Sequence, residues 1–169
     1  MPNPEQQPKK PKFKPLAPSE MSERKRGFRM IIVPKHRYAL LKKVWEDQIY
    51  DRIYNKMKID IRINLKKAPR VELKTRRDTP DACNLQKCFD FVRAFMLGFD
   101  VEDAEALLRV DELFLQSFEI KDVKTLQGEH LSRAKGRLCG KGGKTKFAIE
   151  NATRTRIVVA DKAIRILGI

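Results

Sequence analysis

Gly140, Gly142 and Gly143 crowd one short stretch, with Lys141 between the first two. Inside a helix each glycine costs about 1 kcal/mol relative to alanine, so this run ends any helix that reaches it. It suits a tight turn whose backbone must come close to something. The chain on either side is basic and amphipathic: Arg133-Ala134-Lys135-Gly136-Arg137-Leu138-Cys139 before it, Lys144-Thr145-Lys146-Phe147-Ala148-Ile149-Glu150 after it. Between Leu131 and Ala160 stand eight Lys or Arg and one acid, Glu150. Backbone N–H groups at a helix N-terminus carry partial positive charge and bind anions. Helix, glycine turn and helix in this order read as a grip for a phosphate backbone.

The whole chain leans the same way. Its net charge is +15 over 169 residues, with a pI near 9.9. That favours a polyanionic partner, nucleic acid before an acidic membrane surface. The hydrophobic content of 41% supports one domain, or two small ones that gain by packing together. Cys83, Cys88 and Cys139 are odd in number and have no framework spacing, which fits a reduced intracellular compartment. No N-terminal apolar region reads as a secretory signal. Phe89 to Phe99 is apolar-rich, but Asp90 and Arg93 break it, and it is far too short to span a bilayer.

Residues 1–26 read as a disordered basic tail. Met1 to Pro18 alone holds six prolines and four lysines, too little apolar surface to offset the entropy of ordering. Lys9-Lys10-Pro11-Lys12 and Arg24-Lys25-Arg26 suit nuclear-import signals, RNA-contacting arms or a plain solvated tail. Gly27 to Val33 is strand-like and stops at Pro34. From His36 to Asn55 the apolar positions Leu41, Val44, Trp45, Ile49 and Ile53 keep helical spacing. Lys58 to Leu65 alternates strictly, with Ile59, Ile61, Ile63 and Leu65 on one face of a half-buried strand. A second strand, Arg70 to Thr75, follows the turn at Lys66-Lys67-Ala68-Pro69. Pro80-Asp81 opens a helix through Leu85, Cys88, Phe89, Val92, Phe95 and Met96, closed by Gly98.

Residues 99–117 read as an acidic linker helix. Asp100 is placed as its N-cap, Glu102 and Asp103 in its first turn, and Ala104, Leu107 and Leu108 on its buried face. Phe118 to Leu126 reads as a strand with Phe118, Ile120 and Val123 inward. Helices are expected over Glu129 to Cys139 and Lys144 to Ala152, then strands over Arg156 to Ala160 and Ala163 to Leu167, joined at Asp161-Lys162. The two halves match. From Asp47 to Ile59 is 12 residues, as is Lys144 to Arg156, and a strand pair follows each. The reading is an internal duplication. The glycine turn is absent from the first copy, where Trp45-Glu46-Asp47-Gln48 carries two carboxylates that repel phosphate. The last helix is absent from the second, as in a truncated product. A protein-facing or structural role is therefore expected of residues 27–98.

Two other uses of the glycine turn stand beside the phosphate grip. Gly143-Lys144-Thr145 ends like an ATP-binding P-loop, but Leu138 stands where that motif needs glycine, and a helix precedes the turn in place of a buried strand. The turn also fits a purely structural link. Nothing in the sequence points to catalysis. Cys83 and Cys88 do not share a helix face and lack zinc spacing. Cys139 reads as a small buried residue. His36 and His130 are too few for a metal site, and adjacent acids such as Glu46-Asp47 point apart. No metal or cofactor is expected, and Asn151-Ala152-Thr153 matters as a glycosylation acceptor only in a secreted chain.

Helix, Gly-Lys-Gly-Gly, helix, then two strands resembles the KH domain, whose G-x-x-G loop clamps about four nucleotides. Asp122-Val123-Lys124-Thr125-Leu126, His130-Leu131-Ser132-Arg133-Ala134 and Lys144 through Val158 are similar to the "partner of Nob one" family of ribosome-biogenesis factors. The likeness runs back to about Lys25. It implies an α+β fold of two tandem type I KH-like domains: 27–98, lacking the G-x-x-G loop, and 118–169, ending before its last helix. Within that frame Gly140 and Gly143 are the defining glycines, and Lys141 and Gly142 the variable pair. Leu138, Phe147, Ile157 and Val159 are candidates for the groove floor. Arg133, Arg137, Lys144, Lys146, Arg154 and Arg156 are candidates for its walls.

The resemblance further implies a non-enzymatic RNA-binding assembly factor of the small ribosomal subunit. It would bind precursor ribosomal RNA near the 3′ end, help position the processing endonuclease, meet other assembly factors, and shuttle from nucleolus and nucleus to cytoplasm. A general single-stranded RNA regulator, or a protein scaffold with an inactive clamp, are the alternatives.

Overall fold

In a computed structural model the described residues are 27–169, apart from Ala82 and Asp161. The basic tail, with Lys9-Lys10-Pro11-Lys12 and Arg24-Lys25-Arg26, lies outside them. Two three-stranded antiparallel sheets are present. Sheet A holds β1 (Phe28–Ile32), β2 (Ile59–Asn64) and β3 (Arg70–Thr75). Sheet B holds β4 (Phe114–Glu119), β5 (Arg156–Val159) and β6 (Ala163–Gly168). In each, the last strand lies between the other two. The same order in both halves is what a duplicated unit produces.

The first unit carries the larger core. α1 (Lys35–Val44) runs straight into α2 (Trp45–Lys56), which has the wider π-helical turn. The i→i+5 bond from Met57 N–H to the Arg52 carbonyl, 3.3 Å, marks that register. It keeps i,i+4 pairs together: Ile49 and Ile53 are both fully buried, and Tyr50 and Tyr54 stack at 5.0 Å. Trp45, at the junction, is half-buried against the core. Strand β2 buries Ile59 and Ile61 as its alternation requires. Leu65, expected on the same face, lies beyond the strand end and is exposed. α3 (Cys83–Leu97) puts Cys88, Phe91, Val92 and Phe95 into the core. Asp81 Oδ1 accepts the Cys83 N–H at its start, and Gly98 closes it at φ +112°. Burial pushes the Cys88 thiol up to about 12, so it stays an inert apolar residue.

The acidic stretch differs from the expected linker helix. α4 ends at Arg109, and Phe114–Glu119 is strand β4. α4 (Val101–Arg109) is no free connector. Val101, Ala104 and Leu107 are buried in the core of the first unit, and Glu105 is 2.8 Å from Arg52 of α2. The Asp100 side chain makes no cap bond. The strand expected over 118–126 also breaks early. At Glu119 the chain enters α5 (Ile120–Val123) through a reciprocal capping box, in which Asp122 Oδ2 accepts the Glu119 N–H at 2.9 Å. Ile120 is buried, but Val123 is exposed.

The second unit is thinly filled. α6 (Gly128–Cys139) buries no residue fully, and α7 (Lys144–Thr153) buries only Glu150. Strand pairing puts Leu115, Leu167 and Arg156 in one row, and Ser117, Arg165 and Val158 in another, on the same face of sheet B. That face rests on the α3–α4 corner. Leu167 joins the first unit's core, with Leu113, Leu115 and Val158 packed against it. An added Cβ at Gly98 would stand 3.3 Å from Val158. Arg165 donates to the Leu97 carbonyl at the end of α3, and Arg37 donates to Phe95 O at 2.7 Å. Two guanidiniums, one from each unit, thus meet the negative end of one helix.

Candidate nucleic-acid interface

Between α6 and α7 the chain makes one turn of 3₁₀ helix, Lys141–Gly143. Three glycines take left-handed backbone there: Gly140 at φ +72°, Gly142 at +63° and Gly143 at +81°. L side chains avoid this region. The Gly140 N–H closes α6 on the Gly136 carbonyl at 2.8 Å, and the Gly143 N–H reaches Gly140 O at 3.2 Å. Gly143 is the N-cap of α7 and offers no side-chain acceptor, so the first N–H groups of α7 have no side-chain cap. The turn is open. Lys141, Gly142, Lys144 and Thr145 are exposed, and space around Gly142 is empty to 4 Å. It is neither extended into a strand nor covered by the described residues.

The candidate cations divide into two groups. Arg137, Lys141 and Lys144 are exposed at the turn. Arg133 is on the same helix as Arg137 and touches Glu129 at 3.2 Å. That pair is solvent-exposed and holds the guanidinium weakly. Lys146 is half-buried, 3.8 Å from Glu150, with its ammonium 5.3 Å from the centre of the Phe147 ring. Arg154 and Arg156 lie elsewhere. They follow α7, whose ten residues span about 15 Å, and they line a cavity of about 420 Å³ with Glu102, Asp103 and Leu167. Arg156 Nε donates to Asp103 Oδ1 at 3.0 Å. By register it faces the first unit, on the opposite side of the strand from Ile157.

Of the expected floor, Ile157 is buried and Leu138 and Val159 are half-buried. Phe147 is not core: it is 54% exposed, and an added Cβ at Gly143 would stand 3.2 Å from its ring. An open aromatic ring therefore borders the turn. Sequence reasoning passed over the role of Glu150. This buried carboxylate accepts the Ile157 N–H at 2.7 Å, and its carbonyl accepts Thr155 N–H at 3.2 Å. It pins the start of β5 to α7, and so fixes the groove floor relative to the turn. The signal was its position as the lone acid of a basic stretch.

Among the described residues no group of His, Cys, Asp or Glu is arranged to hold a metal ion. No helix among them is long and apolar enough to cross a membrane.

Comparison with known proteins points to the same fold. A family model for the second KH unit of PNO1, described as the eukaryotic type KH-domain (KH-domain type I), matches residues 117–169. The chain is 57% identical over 159 residues to "Pre-rRNA-processing protein PNO1" of Candida albicans, covering 94% of this chain and 56% of that protein. It is 55% identical over 152 residues to "RNA-binding protein pno1" of Drosophila melanogaster, covering 90% and 62%. It is 53% identical over 162 residues to "Pre-rRNA-processing protein pno1" of Schizosaccharomyces pombe, covering 94% and 66%. The chain thus spans somewhat over half to nearly two thirds of the length of these curated relatives. Among solved structures, the a/eIF2alpha-aDim2p-rRNA complex from Pyrococcus horikoshii contains a chain similar at a TM-score of 0.72, with 28% identity, covering 88% of this chain and 80% of that one. Dim2p from the same organism matches at 0.70, with 26% identity, covering 84% and 81%. Two α+β units of one topology, a glycine turn in the second of them, and identity above half along nearly the whole length lead to one conclusion: the chain belongs to the "partner of Nob one" (PNO1) family of KH-domain proteins.

Proposed function

We propose that this chain binds single-stranded RNA on the Gly140–Gly143 turn and acts, without catalysis of its own, in maturing the RNA of the small ribosomal subunit. The observation that carries the reading is the open left-handed turn with Arg137, Lys141 and Lys144 exposed beside it. Bare backbone at the positive N-terminal end of α7 meets the phosphates. The exposed ring of Phe147 offers a stacking surface to a base, and the floor formed by Leu138, Ile157 and Val159 receives its neighbours. Relatives named for pre-rRNA processing and RNA binding, and a structural neighbour from a complex with rRNA, support the substrate class. Contact near the 3′ end of the precursor, positioning of the processing endonuclease, and passage from nucleolus and nucleus to cytoplasm belong to the same proposal.

The test is titration of single-stranded precursor RNA at several salt concentrations. With about four phosphates neutralised, log affinity falls with log salt at a slope near −3. Replacing Lys141 and Gly142 together by Asp puts two carboxylates where phosphate lies, and affinity drops at least tenfold with unfolding unchanged. Unchanged affinity in that variant refutes the clamp.

A further inference from the structure

The two sheets are built alike, and the second shows what the first lacks. The face of sheet B turned away from α6 and α7 is partly covered by the α3–α4 corner of the same chain. Two kinds of contact cover it. Apolar residues led by Leu167 enter the core, and arginines meet helix-borne acceptors, Arg156 on Asp103 and Arg165 on the Leu97 carbonyl.

The equivalent face of sheet A has no such cover among the described residues. Phe28, Met30 and Ile32 alternate along β1 on that face and are 52%, 54% and 72% exposed. Beside this apolar strip runs a row of charge. Met30 is opposite Glu72, and Glu72 opposite Arg62. Glu72 is already fully engaged, by Arg62 Nε at 2.7 Å, Asn64 Nδ2 at 2.8 Å and Arg70 Nε at 3.1 Å. The Arg62 side chain is nonetheless 74% exposed. Lys74, opposite Phe28, is exposed too. Asp60 is met by Arg76 at 3.7 Å. What the face offers a newcomer is a row of apolar side chains with cations next to it. Sheet B offered the same combination to the α3–α4 corner, where Leu167 enters the core and Arg156 meets Asp103, an acid in the first turn of amphipathic α4.

We propose that the outer face of sheet A docks an acidic amphipathic helix of another protein. A second copy of this chain is a poor occupant, because its own α3–α4 corner is already seated on its own sheet B. RNA is a poor occupant as well. The strip is aliphatic along most of its length, with Phe28 its one ring, so it gives bases little to stack on. This proposal is independent of the RNA reading, since it concerns the other unit.

The experiment places a photo-crosslinking amino acid at Met30 in the full chain, expressed in cells and purified with its associated particles. The expected product is a crosslink to one acidic helical segment of a single protein. Its yield falls severalfold in the Lys74→Glu background, and less, in the same direction, with Lys74→Gln. A synthetic peptide of that segment then binds the purified chain, and Met30→Glu weakens it about tenfold, while RNA affinity and the unfolding midpoint stay unchanged. Crosslinking to RNA, to residues 1–26 of the same chain or to a second copy overturns the proposal. So does the absence of any crosslink, or a yield indifferent to Lys74.

Discussion

A methyl group at Gly140 has nowhere to go: it would run into the Thr145 hydroxyl and stand 2.9 Å from the Thr145 backbone nitrogen. Gly142 is also at positive φ, but with ψ 23° against 177° at Gly140, and it opens onto empty space. Alanine at Gly140 meets both a clash and a backbone that only glycine adopts readily, whereas alanine at Gly142 meets a milder backbone penalty alone. Gly142→Ala carries only the left-handed penalty of about 1–2 kcal/mol and leaves a working turn. Gly140→Ala must displace the first turn of α7 and loses both stability and RNA affinity. Thermal unfolding and RNA titration of the two variants check this, and equal effects would contradict it. Glu72 supplies a second residue-scale test. The Asn64 amide and the Arg62 guanidinium hold its carboxyl below the ordinary range, against a smaller opposing effect of burial. A depressed folded value means stability that is present above the unfolded value, about 4.3, and lost as pH falls through the folded one. Urea midpoints followed below about pH 4.3 should decline more steeply for the native chain than for Glu72→Gln. Coincident acid limbs would show that the cluster adds nothing.

Elements were legible where one periodicity ruled. Strand β2 follows from alternation and α3 from its apolar spacing with Pro80-Asp81 before and Gly98 after, because local pattern and burial agree there. The π register of α2 was not legible, since i,i+4 pairs such as Ile49 and Ile53 fit an ordinary helix equally well. The boundary near Phe114 was hidden by acids on both sides, which made a strand look like more linker. The turn at Glu119 could have been found: Glu and Asp three residues apart form the capping box that ends β4. In the site, the glycine turn and its near cations could be read directly. The removal of Arg154 and Arg156 to the far end of α7 could not, because it depends on which face of β5 meets the first unit. Glu150 gives this scale its prediction. Glu150→Ala leaves the Ile157 N–H buried without an acceptor, a loss of about 1–3 kcal/mol, and speeds hydrogen exchange at Ile157. Glu150→Gln keeps an acceptor oxygen and most of the protection. If both variants exchange alike, the carboxylate is not what holds β5.

Across the whole molecule the two units are unequal in filling and are joined by one shared seam. Among the described residues the second unit has Ile120 and Ile157 as buried hydrophobic side chains of its own, while Leu167 serves the common core. Leu167→Ala removes about 2–5 kcal/mol from the seam, not from either unit alone. Hydrogen exchange of that variant should show residues 114–169 losing protection well before 28–109, with RNA binding falling in step. Uniform loss across the chain would mean that the two melt as one body. The layering has a mechanical consequence. Sheet A, its helices with α4, sheet B, and then α6 and α7 with the glycine turn between them follow one another like floors of a building. On the two proposals above, the separation between a guest under the ground floor and a strand gripped on the roof would be set by side-chain packing, with no slack for a tether to take up: a gauge block as much as a clamp.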